Sequence, residues 1–199
     1  MGCVSSSKRE NAYKDNCKEY LKIASMQSYQ NELTFKEKRI VKETWKYMTK
    51  DLAENGLQVF LRIFELSPDV KKLFHVEDVR HSELSKNQSI RAHGHRFILA
   101  IGAAVHCLDD EDTDKDELNK ILLVLGQQHK QFSGFNPEYF EVFYEALMWR
   151  WEICMGEKFT KDVSDTWSHV FFYLMLKLKE GISSPSNTQI SDDHNFLNI

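Results

Sequence analysis

The chain has 199 residues, enough for one domain with tails, and 42% of them are apolar, enough for a sizeable core. Only 3 prolines and 8 glycines interrupt it, whereas 13 phenylalanines and 4 tryptophans supply large apolar side chains, which favours long helices over a turn-rich β fold. A formal net charge of -4, with no basic stripe that carries stacking aromatics, argues against nucleic acid as a partner. We therefore expect a single all-α domain.

The N-terminal residues match a lipid-attachment pattern. Gly2 would be exposed after removal of the initiator methionine, and Ser6 stands at the position that N-myristoylation requires. Cys3 is a candidate for palmitoylation, and two acyl chains, or one chain with Lys8 and Arg9, would anchor the protein stably. No apolar stretch reaches the roughly 20 residues of a spanning helix, and no secretory apolar region is visible, so we expect neither membrane crossing nor secretion.

Composition divides the chain into three parts. Residues 1–32 are polar and without sustained periodicity, and they are predicted to form the acylated tail. Residues 33–181 carry the helical patterns, and Thr34 with Glu37 forms a capping box that predicts where the first helix begins. The Ser-, Asn- and Asp-rich residues 182–199 are predicted to be a disordered tail.

Apolar residues at steps of three and four predict the helices between these tails. The first helix carries Val41, Trp45, Met48 and Leu52 on one face, and the second, from about Asn55 to Leu66, closes before Pro68. The remaining predicted elements are a helical turn from Pro68 to Phe74, a polar connection over 75–88, a long helix to the acidic residues 109–117, a helix from Leu118 to His129, a helix after Pro137 and a helix from Val163 that ends before Gly181.

The acidic residues 109–117 suggest a calcium loop, but the spacing argues against it. Such a loop needs glycine at its sixth position and glutamate at its twelfth. A loop starting at Asp110 has Lys115 and Ile121 there, and one starting at Asp112 fails in the same way. We expect a solvated turn whose carboxylates favour the positive end of the next helix.

The four cysteines form no CxxC pair, so neither a zinc knot nor a redox dithiol is indicated. Reduced thiols are favoured for a chain outside the secretory pathway. A disulfide between Cys107 and Cys154 stays open, because both lie in predicted helices that could cross closely.

Two histidines stand where the helical pattern calls for apolar residues. His129 ends the stripe of Leu118, Leu122 and Leu125, and His93 lies on the same helix face as Phe97. Each could be a core histidine with a hydrogen-bond partner.

Three other kinds of site fit these histidines less well. His93 and His95 are two residues apart and point to different faces, which disfavours zinc. No cysteine is identified as the partner of a Cys-His pair, and no repeated Glu-x-x-His occupies inward positions, as a di-iron bundle requires. The iron of a planar macrocycle needs only one imidazole, optionally a second, and an apolar shell.

Residues 33–181 carry a series of sequence marks in a fixed order. The marks are Trp45, Pro68 six residues before Phe74, His93-Gly94 with Phe97 four after the histidine, Leu125 four before His129, Phe135, Pro137 and Trp167. In this order they resemble a globin. Tails at both ends and the acylation pattern are similar to globin X, a membrane-associated branch related to neuroglobin.

The resemblance implies a globin fold, with helices packed around haem b and particular roles for individual residues. His129 resembles the proximal iron ligand, and His93 resembles the distal histidine that also ligates the iron at rest. Phe74 corresponds to the phenylalanine that packs flat on the haem, and Arg96 to a basic residue that can reach a propionate. The other implied pocket walls are Phe60, Phe97, Leu125, Phe135 and Phe140.

The resemblance also implies a function: an oxygen-binding globin anchored to the cytoplasmic face of the plasma membrane. Oxygen or another diatomic gas would displace His93, so its affinity would be lowered by the fraction of closed sites. Electron exchange with an unidentified donor protein or sensing is expected, with nitrite reduction or nitric oxide oxidation as a side activity. The alternatives are a simple oxygen store or carrier and a haem-free interaction module.

Overall fold

The computed structural model describes residues 33–109 and 115–185, and all regular structure in these residues is helical, as predicted. No helix in these two ranges is long and apolar enough to cross a membrane. The α-helices are α1 Phe35–Trp45, α2 Leu52–Leu66, α3 His81–Leu84, α4 Gln88–Asp109, α5 Lys115–Lys130, α6 Tyr139–Met155 and α7 Lys161–Ser183. Short 3-10 helices cover Thr49–Asp51, Pro68–Phe74 and Gly156–Lys158.

The capping box at the start of α1 is confirmed. The Glu37 backbone N–H donates to Thr34 Oγ1 at 3.3 Å, and the Thr34 backbone N–H donates to Glu37 Oε2 at 2.8 Å. Both donors would otherwise lack an intrahelical partner, so the pair fixes the first residue of the helix.

The predicted continuation of this helix to Leu52 is wrong, because α1 ends at Trp45. Asp51 accepts a hydrogen bond from the Glu54 backbone N–H at 3.0 Å and thereby starts α2 independently. The buried Asn55 side chain also donates to the Met48 carbonyl at 2.7 Å, which holds the chain between the two helices in a turn. Side chains that hydrogen-bond the backbone have overridden the apolar periodicity.

The predicted connection over 75–88 contains one short helix, α3, whose Leu84 is buried. Asn87, near the end of this connection, caps the start of α4, because its Oδ1 accepts a hydrogen bond from the Ile90 backbone N–H at 3.1 Å. The predicted turn from Pro68 to Phe74 is confirmed as a 3-10 helix with proline in its first turn.

Helices α2 and α4 cross with their backbones in contact at two glycines. A Cβ atom on Gly94 would lie 2.6 Å from the Gly56 carbonyl carbon and 2.9 Å from the Leu57 backbone nitrogen. No side chain at either position fits between the two helices. This close contact fixes the position of the neighbouring residue, His93, relative to α2.

Helices α5 and α7 approach each other in the same way at Gly126 and Gly181. A Cβ on Gly126 would collide with the Leu178 carbonyl, and one on Gly181 with the Leu123 carbonyl. The prediction that the last helix ends before Gly181 is wrong, since α7 continues to Ser183. This glycine allows close packing instead of ending the helix.

Cys107 and Cys154 are not joined in a disulfide, so the open alternative is settled in favour of thiols. Cys154 Sγ instead lies 3.4 Å from Asn55 Oδ1, which also accepts two hydrogen bonds from Arg150 at 2.8 and 3.0 Å. The proposed tails over 1–32 and 182–199 lie almost wholly outside the described residues, which end at 185.

Candidate functional site

An apolar cavity opens to solvent between helices α4, α5, α6 and α7. Two histidine rings and one tyrosine are its only side chains that carry a nitrogen or oxygen atom, among the described lining residues. The lining consists of His93, Phe97, Ala100, Ile101, Ala104, Leu122, Leu125, His129, Phe135, Phe140, Phe143, Tyr144, Leu147, Phe171, Leu174, Met175 and Leu178.

His129, in the last turn of α5, has one ring nitrogen already engaged. Its Nδ1 lies 2.7 Å from the Leu125 carbonyl oxygen. A carbonyl can only accept, so Nδ1 carries the proton and Nε2 keeps its lone pair. Burial lowers the pKa of His129, while the Leu125 contact opposes this shift. The ring is therefore neutral at physiological pH, and Nε2 can bind a metal.

His93, in α4, is held among aromatic rings. The Phe60 ring centroid lies 4.9 Å from that of His93, and the Phe74 centroid lies 5.1 Å away, both edge-on. Burial lowers the pKa of His93, the positive charge of Arg96 and the nearby His129 add to this shift, and together they bring the pKa to about 4. This second imidazole is also neutral near pH 7.

The structure places the other predicted site residues in two groups. Four of them line the cavity, and three do not. Those in the lining are Phe97, Leu125, Phe135 and Phe140. Those outside it are Phe60, Phe74 and Arg96. The rings of Phe60 and Phe74 contact the His93 ring, and the charge of Arg96 lowers the pKa of His93.

Sequence reasoning identified only Phe140 from α6 and missed the contribution of α7 to this cavity. Phe143, Leu147, Leu174 and Leu178 stand on apolar helix stripes, which is the signal that could have found them. The same periodicity marks every core residue, so it does not distinguish a cavity wall from filled core. Tyr144 gave no signal, and its hydroxyl lies 2.9 Å from Ser168 Oγ, so it is already bonded within the core.

The chemistry of these residues fits haem. The apolar walls suit a porphyrin ring. Two neutral imidazoles are suited to act as nitrogen ligands of an iron ion, because neither requires the burial of a charge. Elsewhere in the described residues, no group of three or more His, Cys, Asp or Glu side chains is arranged to hold a metal. The proposed lipidation residues Gly2 and Cys3 lie outside the described residues.

Comparison with known proteins agrees with this geometry. Residues 57–176, more than half of the chain, match the family described as Globin. Neuroglobin-1 of Oncorhynchus mykiss is 29% identical over 151 residues, which cover 75% of this chain and 92% of that protein. The Anaerobic nitrite reductase AHB2 of Arabidopsis thaliana is 28% identical over 151 residues, which cover 73% of this chain and 91% of that protein.

A solved structure shares the fold. The hexacoordinated heme protein from an anhydrobiotic tardigrade, solved at pH 4, superposes with a TM-score of 0.70 at 24% sequence identity. The superposition covers 76% of this chain and 96% of the tardigrade chain. The helical arrangement described above is therefore the globin fold.

Proposed function

The chain belongs to the globin family, and we propose that it is a haem-binding, oxygen-binding protein in which His129 is the proximal iron ligand. The observation that carries this proposal is the His129 ring itself, with Nδ1 held by the Leu125 carbonyl at 2.7 Å and Nε2 left as the only free nitrogen. A hydrogen bond to the second nitrogen of a ligating imidazole fixes the ring and makes the ligand more basic.

His93 is proposed as the second iron ligand in the absence of gas. Its neutral ring lines the same cavity as His129, and the edges of Phe60 and Phe74 limit how it can turn. Bound haem supplies reversible gas binding and one-electron exchange. A gas that must displace His93 binds with an affinity lowered by the fraction of sites in which His93 is bound. Two permanent imidazoles instead suit electron transfer or sensing.

The remaining predicted residues have supporting roles in this proposal. Phe97, Leu125, Phe135 and Phe140 would exclude water from the macrocycle. Arg96, whose charge is felt at His93, would pair with a propionate.

Nitrite is a further substrate that we propose, supported by the similarity to a plant protein named as a nitrite reductase. The alternative side activity that we propose is oxidation of nitric oxide.

The N-terminal sequence supports a membrane-anchored globin of the globin X type. Myristoylation of Gly2 and palmitoylation of Cys3 would hold the chain at the cytoplasmic face of the plasma membrane. An electron-donor protein, not yet identified, would then meet the haem domain at that surface.

Absorption spectra of the purified full-length chain, oxidised and reduced, test the haem ligands. Sharp paired visible bands in the reduced protein without added ligand indicate two imidazoles, whereas one broad band indicates an open site and a simple oxygen store. We expect His129→Ala to abolish tight haem retention and His93→Ala to keep haem with an open sixth position. Equal haem loss in both variants contradicts the assigned roles, and protein that stays colourless with hemin contradicts haem binding.

A further inference from the structure

The first helix carries basic side chains along one exposed face. Exposed residues follow one another here at steps of four, three and four, the spacing that places side chains on the same side of a helix. They are Phe35, Arg39, Lys42 and Lys46. Lys46 comes directly after the last residue of α1 and keeps a helical backbone, with φ -55° and ψ -23°, so the row continues past the end of the helix.

Lys50 extends this row into the 3-10 helix that follows. The Nζ atoms of Lys46 and Lys50 lie 5.7 and 5.3 Å from the centroid of the Tyr47 ring. Both ammonium groups are therefore close to one partly exposed ring and project to the same side of the chain. We call the four aligned cationic residues the basic face: Arg39, Lys42, Lys46 and Lys50.

The charge of this region is opposite to that of the whole chain. Residues 36–50 contain six basic and two acidic side chains, whereas the chain has a formal net charge of -4. One of the two acidic side chains, Glu37, is held elsewhere. Its Oε1 lies 2.8 Å from His169 Nδ1 of α7, and its Oε2 accepts a hydrogen bond from the Thr34 backbone N–H. Glu37 is therefore engaged with α7 and with the cap of α1.

The other acidic side chain, Glu43, is only loosely paired. Its carboxylate lies 4.0 Å from Arg39 Nε, and the two side chains are 66% and 64% exposed. A pair with this exposure contributes little to stability, so Arg39 can exchange the carboxylate for another anion at small cost. Asp162 of α7 lies 2.6 Å from Lys36 Nζ, so its charge is already matched by a lysine outside the basic face.

An aromatic side chain stands near each end of the basic face. Phe35 is 82% exposed, and Tyr47 is partly exposed beside Lys46 and Lys50. Burying the Phe35 ring in an apolar medium would be favourable, because most of it now lies in water. Basic side chains interspersed with aromatic rings are typical of protein surfaces that lie on a bilayer, where the charges meet headgroups and the rings reach the acyl boundary.

We propose that the basic face docks the globin domain onto anionic phospholipid headgroups, with Phe35 inserted between them. The inference rests on the membrane anchoring proposed above and adds the surface of the folded domain that meets the bilayer. Residues 3–32 join the lipidation sites to the domain and would span up to about 100 Å if fully extended, so acyl chains alone do not fix how the domain is oriented. The basic face fixes it, because α1 begins close to where this stretch ends.

The experiment measures binding of the full-length chain to protein-free vesicles. The chain is prepared with and without myristate, and mass spectrometry verifies the acyl group. Each form is mixed with vesicles of phosphatidylcholine alone or with about 30% phosphatidylserine, at about 0.1 M salt. Co-sedimentation gives two partition coefficients, and their ratio, anionic over neutral, reports the contact with anionic headgroups. We call it the lipid ratio.

Reversing two charges of the basic face should lower the lipid ratio strongly. Each Lys or Arg close to an anionic surface strengthens binding by about fivefold, so we expect Arg39→Glu/Lys46→Glu to lower the ratio by at least about 20-fold. Lys120 and Lys130 are exposed on α5, and Lys120→Glu/Lys130→Glu changes the net charge equally. This control should lower the ratio by less than about threefold, because charges more than about 10 Å from the surface are screened.

Phe35→Ser tests the inserted ring separately. It should weaken binding to the anionic vesicles severalfold, and this loss should persist at higher salt, whereas the loss from the charge reversals should shrink. Ile121, which is 55% exposed on α5, provides the matched control, and Ile121→Ser should bind like the wild type.

A wild-type lipid ratio near one overturns the proposal, as do equal losses in the two double variants. Binding to cell membranes but not to protein-free anionic vesicles would assign the basic face to an acidic protein and overturn it too. The substituted side chains are exposed, so the variants should fold, which circular dichroism checks. A failure of acylation is seen separately, as a missing acyl mass, and the unacylated chain then still reports the lipid ratio.

Discussion

The crossing of α2 and α4 makes a quantitative prediction for Gly94→Ala. The new Cβ would lie 2.6 and 2.8 Å from the Gly56 carbonyl carbon and oxygen and 2.9 Å from the Leu57 nitrogen. Relaxed contacts between carbon atoms are about 3.5–4.0 Å, so the helices must separate by about 1 Å. All three atoms belong to the backbone, so no side-chain rotation relieves the contact.

The net loss of stability follows from two opposing effects. Overpacking of this kind costs about 1–3 kcal/mol, and a contact with rigid backbone belongs near the upper end. Alanine in a helix is favoured over glycine by about 1 kcal/mol, which offsets part of that cost. We expect Gly94→Ala to lower the free energy of unfolding of the apoprotein by about 2 kcal/mol.

Urea unfolding of the apoprotein, followed by circular dichroism, measures this difference. Ala92→Ser is a suitable control, because Ala92 is exposed on the same helix and its replacement should change stability by less than about 0.5 kcal/mol. The haem-loaded Gly94→Ala variant should also show weaker ligation by His93, since the displaced backbone carries that residue. A variant as stable as the wild type, with an unchanged spectrum, would refute the assignment of this crossing as a rigid contact.

Three further predictions concern the other histidine helix, pH and the membrane. Gly126→Ala forces α5 away from the Leu178 carbonyl, so it should destabilise the apoprotein. It should also speed haem loss, because His129 moves with α5. The rate of hemin transfer to an acceptor protein measures haem loss, and an unchanged rate would contradict this prediction. The pKa of His93 is about 4 in the folded chain and 6.5 in the unfolded chain, so the unfolded chain binds more protons between these two pH values. The free energy of unfolding of the apoprotein should therefore fall by about 3 kcal/mol as the pH drops from 6.5 to 4. Urea unfolding of His93→Phe should lack that part of the pH dependence, and a variant with the full dependence would exclude His93 as its cause. Gly2→Ala should release the protein from the membrane fraction of cells, and a variant that remains bound would disprove anchoring through myristate.

Local sequence signals were enough to predict the helices that carry the two histidines. His129 ends an apolar stripe of its own helix, and the capping box of Thr34 and Glu37 marks the start of the first helix. These signals depend on residues three or four positions apart, so they survive without knowledge of the fold.

Structural features that depend on residues far apart in the sequence could not be predicted in this way. The turn after Trp45 depends on Asn55 reaching back to the Met48 carbonyl, and Gly181 looks like a helix stop until Leu123 is known to lie against it. The tryptophans illustrate the same limit. Trp45, Trp151 and Trp167 each fit an ordinary apolar stripe, and only the packing of α1, α6 and α7 brings their rings together.

Both histidine helices make a backbone contact at a glycine in addition to their side-chain packing. Gly94 follows His93 directly and rests on Gly56, while Gly126 precedes His129 by less than one helical turn and rests against α7. Side-chain packing adjusts when a neighbouring residue changes, but two backbones in contact have no such freedom. The glycine contacts therefore constrain where α4 and α5 lie, and with them the two imidazoles that these helices carry. For this reason substitutions at these glycines should alter iron ligation more than substitutions of equal volume in the cavity wall.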